Sequence, residues 1–231
     1  MKNSGFPKKF IAVCLCVCLV FAFSVASSAA DCELSLSDAE THPGMTSELA
    51  LTVRNNPGIA NGILIVRYDP ELLDIDASEI TVGAVGARFS IVETKKSAGA
   101  VSIGFVALQN VTDDGIMFVL PFTVRLDAYP TETKIDIEVR ELVAEDGSAV
   151  PTEQKSSNFT VSYPSGYVKG DVTADGAVDI EDAMLVFYHV AKKYTLPDGR
   201  LLAANVDGNN VIDIEDAMRI FYCVAKKTGN L

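Results

Sequence analysis

Val178-Asp179-Ile180-Glu181-Asp182-Ala183-Met184 returns 34 residues later as Ile212-Asp213-Ile214-Glu215-Asp216-Ala217-Met218. Phe187-Tyr188-His189-Val190-Ala191-Lys192-Lys193 returns at the same offset as Phe221-Tyr222-Cys223-Val224-Ala225-Lys226-Lys227. Two agreements of this length at one offset mark a duplicated supersecondary unit. Each copy opens on a carboxylate-rich loop and continues into an apolar stretch that reads as a helix. The chain therefore closes with a small two-copy module, and the remainder is read outward from it.

The loops carry the donor pattern of a hard cation. In the first, Asp171, Thr173, Asp175, Asp179 and Asp182 place side-chain oxygens at positions one, three, five, nine and twelve. Gly176 stands where such a loop turns sharply, and Ala177 offers only its backbone carbonyl. Calcium takes ~6–8 oxygen ligands, and this is the ligand spacing of an EF-hand loop. The second loop supplies Asn205, Asp207, Asn209, the carbonyl of Val211, Asp213 and Asp216. The fixed offset sets this register, since Asp216 must match Asp182. Asn210 replaces Gly176, and asparagine tolerates a left-handed backbone. Side-chain carboxylates at ligand positions fall from four (171, 175, 179, 182) to three (207, 213, 216). Affinity follows ligand charge, so two calcium ions are expected, the second held more weakly.

The segment Ala183-Met184-Leu185-Val186-Phe187-Tyr188 contains no charged residue. A surface helix of a small domain needs a polar face. Ala183, Val186 and Val190, at helical spacing, suit an internal core, which leaves Met184, Leu185, Phe187 and Tyr188 partly outside it. Two dispositions are open: a domain of ~60 residues buries them all, or they face a partner.

An ordinary EF-hand has a helix before the loop and Glu at position twelve. Here Pro164 and Gly166 precede the first loop, and both twelfth positions are Asp. Loop then helix, twice, each loop closed by Asp, resembles the dockerin domain of cellulosome assemblies over residues 170 to about 227. The resemblance implies partner contacts at loop positions ten and eleven and on the following helix. These are Ile180, Glu181, Phe187, Tyr188 and Lys192, with twins Ile214, Glu215, Phe221, Tyr222 and Lys226. It also implies binding in two orientations, with Cys223 opposite His189 as a nearby break in the symmetry.

From Glu33 to Ser162 the texture is all-β. Segments 48–54, 62–68, 88–94, 100–107, 116–126 and 134–143 are rich in Val, Ile and Phe, and turn residues such as Asn55-Asn56-Pro57-Gly58 and Asp113-Asp114-Gly115 separate them. Such spacing predicts a β-sandwich. Strand alternation puts Leu64, Val66 and Tyr68 on a core face, with Ile63, Ile65 and Arg67 opposite. The run Gly58-Ile59-Ala60-Asn61-Gly62-Ile63-Leu64-Ile65-Val66-Arg67-Tyr68-Asp69-Pro70 resembles a strand and turn of the cohesin domain, the receptor for dockerins. Segments 102–108, 116–126 and 158–161 extend the resemblance over about residues 31–162. It implies a jelly-roll sandwich with Asn61, Ile63, Phe105 and Leu108 near dockerin-contact positions.

Lys2, Lys8 and Lys9, an apolar run over 10–25 and the small residues 26–30 read as a secretory signal peptide. The apolar run is shorter than the ~20 residues of a membrane span. Asp31 before Cys32 argues against a lipoprotein site. The domains are then signal 1–30, sandwich 31–162, linker 163–169 and dockerin-like module 170–231. Cys32 and Cys223 remain after cleavage, paired or free. The 231-residue chain carries a net charge of −12, and the leader holds three lysines and no acid, so cleavage leaves −15. No basic footprint for nucleic acid exists. Two histidines (His42, His189) and no Trp disfavour a hydrolase and a flat aromatic sugar platform. The reading is a secreted, non-catalytic adaptor scaffoldin. Its cohesin captures a dockerin-bearing protein, and its calcium-dependent dockerin binds a cohesin on a larger scaffoldin. It reaches the cell surface only through partners. The alternative is a dockerin-bearing carbohydrate-binding or adhesin-type sandwich.

Overall fold

Alternating apolar and polar residues over residues 32–161 build two facing sheets. The computed structural model describes residues 31–226 and Leu231, so the signal-peptide reading lies outside the described residues. One sheet holds β1 (Cys32–Leu36), β3 (Thr46–Arg54), β5 (Leu73–Ile75), β6 (Thr81–Val82), β9 (Gly115–Val124) and β11 (Thr152–Lys155). Its order is β11-β1-β3-β9-β5, with β6 also on β9. The other holds β2 (Ala39–Thr41), β4 (Ile59–Arg67), β7 (Ser90–Ser97), β8 (Ala100–Val111), β10 (Thr131–Val143) and β12 (Ser157–Val161), in the order β2-β12-β10-β4-β8-β7. Pairing is antiparallel except between β1 and β11 and between β2 and β12.

The core lies between the sheets. Leu34, Leu49, Leu51, Leu64, Ile103, Phe118, Phe122 and Phe159 are fully buried. Each such side chain removes its apolar surface from water, contributing ~1.5–3 kcal/mol. Leu64, Val66 and Tyr68 face inward as the alternation predicts, and Tyr68 meets Phe122 edge-on at 5.3 Å. Phe105 also turns inward, between Phe89 (4.9 Å) and Phe118 (5.5 Å). That corrects its reading as a surface contact: β8 alternates, and Phe105 shares the buried parity of Val101 and Ile103. Gly62 makes room for it, because a Cβ there would sit 2.9 Å from the Phe105 ring and 2.7 Å from Leu142.

The C-terminal unit folds around its own core. It contains α1 (Ile180–Val190), α2 (Asp198–Ala204) and α3 (Ile214–Lys226). Ala183 and Val186 of α1 and Ala217 and Ile220 of α3 meet Val172, Leu196, Ala203, Ala204 and Val206. Val190 and Leu185 pack against the edge of this cluster. The short α2, unforeseen in the sequence, leads directly into the second loop at Asn205. The first loop is instead entered from a turn, with Gly170 N–H donating to Ala203 O at 2.9 Å. No described helix is long and apolar enough to cross a membrane.

Candidate functional site

The two loops are organised from position twelve. Asp182 is fully buried. Its Oδ1 accepts from the N–H groups of Val172 and Thr173, both at 2.8 Å, and its Oδ2 from Asp179 N–H at 2.8 Å. Asp216 repeats this with Val206 (2.8 Å), Asp207 (3.1 Å) and Asp213 (2.9 Å). Position nine caps the following helix: Asp179 accepts from Glu181 N–H and Asp213 from Glu215 N–H, each at 2.7 Å. Negative groups at a helix N-terminus are favoured, so positions nine and twelve have a structural role of their own.

The remaining donors go beyond capping. Position one is buried in both loops, as Asp171 and Asn205. Asp171 accepts from the amides of Asp175 (3.2 Å) and Gly176 (2.9 Å), drawing the loop inward. Gly176 takes the left-handed backbone, φ +91°. The second loop differs. Asn210 does not adopt positive φ, contrary to the sequence expectation; Gly208 does, at +77°, but so does its first-loop counterpart Ala174, at +58°. Asn205 uses its amide nitrogen to donate to Asn209 O and to Leu126 O, the latter at 3.3 Å. Its Oδ1, on a residue 4% exposed, has no hydrogen-bond partner. A buried acceptor left without a donor is costly, and a cation would satisfy it.

Electrostatics point the same way. No salt bridge among the described residues reaches any of the seven loop carboxylates. Burial pushes the Asp216 carboxyl upward, with the amides of Asp213 and Asp207 opposing it. Thr173, Asp175 and Asp207 lie at positions three and five of the first loop and three of the second. Asp175 accepts from Ala177 N–H, and Asp207 from Asn209 N–H, both at 2.9 Å. Asn209 in turn accepts from Val211 N–H at 2.7 Å. Among the described residues no three Asp, Glu, His or Cys side chains converge as metal donors. Every donor in both sets is a hard oxygen, with no imidazole or thiolate among them, so the donor chemistry suits calcium and not a transition metal.

The duplicated helices present matching outer faces. Phe187 is 45% exposed and Phe221 43%. Ile180 and Ile214, Met184 and Met218, and Tyr188 and Tyr222 are exposed beside them. The disposition left open by the sequence is thereby decided: the core closes on Ala183, Val186, Ala217 and Ile220, and these residues stay outside it. Glu181 and Lys192 are exposed in the first copy. In the second, Glu215 is held by Arg219 at 2.6 Å, and Lys226 lies 5.6 Å above the Tyr222 ring. Arg219 occupies the place of Leu185, a second break in the symmetry. His189 has a structural task, accepting from Leu196 N–H at 3.1 Å.

On the sandwich, the outer face of β4 and β8 brings Asn61, Ile63 and Ile65 beside Val106, Gly104 and Ser102, pair by pair. Arg67 ends this row, held by Glu138 of β10 at 2.6 Å. Leu108 is 98% exposed at the far end of β8, past a bulge between β4 and β8. Ile65 and Val106 were not singled out individually from the sequence, although the alternation that selected Ile63 places Ile65 on the same face. Cys32 is buried and forms no disulfide. Burial pushes the Cys32 thiol up to about 11, aided by Asp114.

Comparison with known proteins follows the division between units. A family model described as the cohesin domain matches residues 32–163. A non-cellulosomal cohesin from the hyperthermophilic archaeon Archaeoglobus fulgidus has a similar structure, with a TM-score of 0.51 and 16% identity, covering 58% of this chain and 92% of that one. A chain of the Coh-OlpA-Doc918 complex, a type I cohesin–dockerin complex from Clostridium thermocellum, gives a TM-score of 0.50 at 16% identity over 57% and 99%. No curated protein matches the chain. At these identities the likeness is one of fold.

Proposed function

The chain belongs to the cohesin family, and on that premise we propose that it is an adaptor with two binding ends. Cohesins are non-catalytic protein–protein interaction modules. The outer face of β4 and β8, with Ile63, Ile65, Val106 and Leu108, is the surface that would capture a dockerin. The C-terminal unit would itself act as a dockerin and engage a cohesin on a larger scaffoldin. The carrying observation is the pair of matching apolar faces on α1 and α3, exposed although the unit has a closed core. Single exposed apolar residues are ordinary, but two duplicated patches call for a partner.

Calcium completes the reading. Asp171, Thr173, Asp175, Asp179, Asp182 and the carbonyl of Ala177 would hold one ion. Asn205, Asp207, Asn209, Asp213, Asp216 and the carbonyl of Val211 would hold the second. The buried, unpartnered Asn205 Oδ1 and, among the described residues, the lack of a salt bridge to any loop carboxylate support this assignment. When bound, calcium supplies positive charge that lets the buried carboxylates stay ionised, so binding and folding of the unit are coupled. Export fits both the leader-like N-terminus and the extracellular setting in which such loops fill with calcium.

The test is calorimetric titration of the full chain against a panel of purified dockerins and, separately, purified cohesins, with calcium and with chelator. Dockerin capture at the sandwich and calcium-dependent cohesin capture at the helices are expected. Cohesin capture that survives complete calcium removal refutes the calcium mechanism. Retention on polysaccharide gels, with no response to either panel, supports the carbohydrate-binding or adhesin alternative instead.

A further inference from the structure

The second loop is the place where the two units touch through polar groups. Leu126 follows β9 at the corner of the sandwich. Its N–H donates to Asn210 Oδ1 at 2.7 Å, and its carbonyl accepts from Asn205 Nδ2 at 3.3 Å. One residue of the sandwich is therefore held by one loop through both its N–H and its carbonyl. Leu201 of α2 closes the contact below, near Gly44, where Leu126 also packs. Neither asparagine has such an engagement in the first copy, which carries Asp171 and Gly176 at the matching positions.

We propose that calcium at the second loop locks the C-terminal unit against the sandwich, with Asn205 serving both sides. This inference rests on the calcium reading above and adds a consequence to it. A primary amide has one acceptor oxygen and two donor hydrogens. Asn205 spends its donors on Asn209 O and Leu126 O and keeps Oδ1 unpartnered. An aspartate could ligate an ion but could not donate to Leu126. The reversed amide would set its oxygen against two carbonyls, so the orientation that holds the sandwich is the one that aims Oδ1 as a ligand. Asn210 explains itself in the same way. It forgoes the left-handed turn of Gly176 and spends its side chain on the Leu126 N–H.

Coupling of two events is reciprocal: calcium strengthens docking, and docking strengthens calcium binding by the same factor. The matching helix faces lie elsewhere on the unit and remain exposed in the docked arrangement. The lock would therefore fix the angle between the two binding ends without covering either of them.

The test uses the full chain. Amide exchange at Leu126 is followed by NMR with and without calcium, and uptake at each loop by the Gly176 and Gly208 amide signals. Calcium is expected to slow Leu126 exchange at least about fivefold. Asn210→Ala, which removes no ligand oxygen, is expected to abolish that protection. It should also weaken uptake at the second loop by a similar factor and leave the first loop unchanged. Asn205→Asp keeps an oxygen at position one and loses the donor; calcium should still enter, and Leu126 should gain no protection. Uptake at both loops with Leu126 exchange unchanged or faster, and Asn210→Ala behaving as the unmodified chain, overturns the lock and leaves the calcium reading standing. No uptake at either loop overturns both.

Discussion

Replacing Asp182 by Ala removes the acceptor for three backbone amides at once. Val172 N–H, Thr173 N–H and Asp179 N–H all bond this carboxylate at 2.8 Å. Val172 is 2% exposed, so its amide would be left buried and unpaired, a cost of about 1–3 kcal/mol. The other two are partly exposed and can turn to water, losing about 0.5–1.5 kcal/mol each. The total is about 2–6 kcal/mol, reduced by whatever is regained from no longer burying an anion. A unit of ~60 residues has about 3–9 kcal/mol to lose, from ~0.05–0.15 kcal/mol per residue. Asp182→Ala should therefore remove a large share of the C-terminal unit's stability, so that its helices melt first while the sandwich persists. Circular dichroism at 222 nm follows this selectively, because α1, α2 and α3 all belong to that unit. Asp182→Asn keeps an oxygen for Val172 and Thr173 and loses only the bond from Asp179, so it should cost about 0.5–1.5 kcal/mol. Urea unfolding in chelator isolates these costs from calcium. A loss below about 0.5 kcal/mol for the alanine variant would refute the view that position twelve organises the loop.

Three further outcomes are expected. Phe187→Ala or Phe221→Ala alone should leave cohesin capture within about twofold, because the other face remains; together they should weaken it at least about thirtyfold, the scale of a lost anchor residue, as measured by calorimetry. On the sandwich, Ile63→Asp should abolish dockerin capture at a stability cost of about 1 kcal/mol, since Ile63 is half-buried on an interior strand, whereas Phe105→Ala should cost about 3–5 kcal/mol by leaving a cavity. The Cys32 thiol titrates near 11 when folded and near 9 when exposed, so folding favours its neutral form. This contribution is intact below pH 9 and fades as pH rises towards 11; mass spectrometry after iodoacetamide at pH 8 should find Cys32 unmodified until the sandwich is unfolded.

The β half was legible wherever a strand was long and alternating. Residues 100–105 put Val101, Ile103 and Phe105 on one face, and a single slip of register would expose it, so the pattern encodes the strand; residues 62–68 are apolar on both faces and are marked by their Ile/Val-rich run. β2, β5, β6 and β11 run only two to four residues, too few to show an alternation, and nothing local distinguishes them from loops. Phe105 misled because its apolar character fits a recognition face as well as a core; its parity with Val101 and Ile103 was the signal that places it inside. The helix α2 was hidden by Pro197 and Gly199 at its start, where the helix-breaking residues read as a loop.

The repeat determined by sequence alone that two loops share one donor pattern and that two helices share one outer surface. Covalent spacing is enough for that, since ligand positions within a loop are local. The alternation likewise determined a sandwich. Tertiary structure decided what the asparagines are for. Asn205 and Asn210 read in sequence as weakened copies of Asp171 and Gly176. In the fold they meet the backbone of Leu126, some eighty residues away along the chain, and their amide groups can bond its N–H and carbonyl as an aspartate and a glycine could not. Contacts between distant segments depend on how two folded units come to rest against each other, and no local pattern records that.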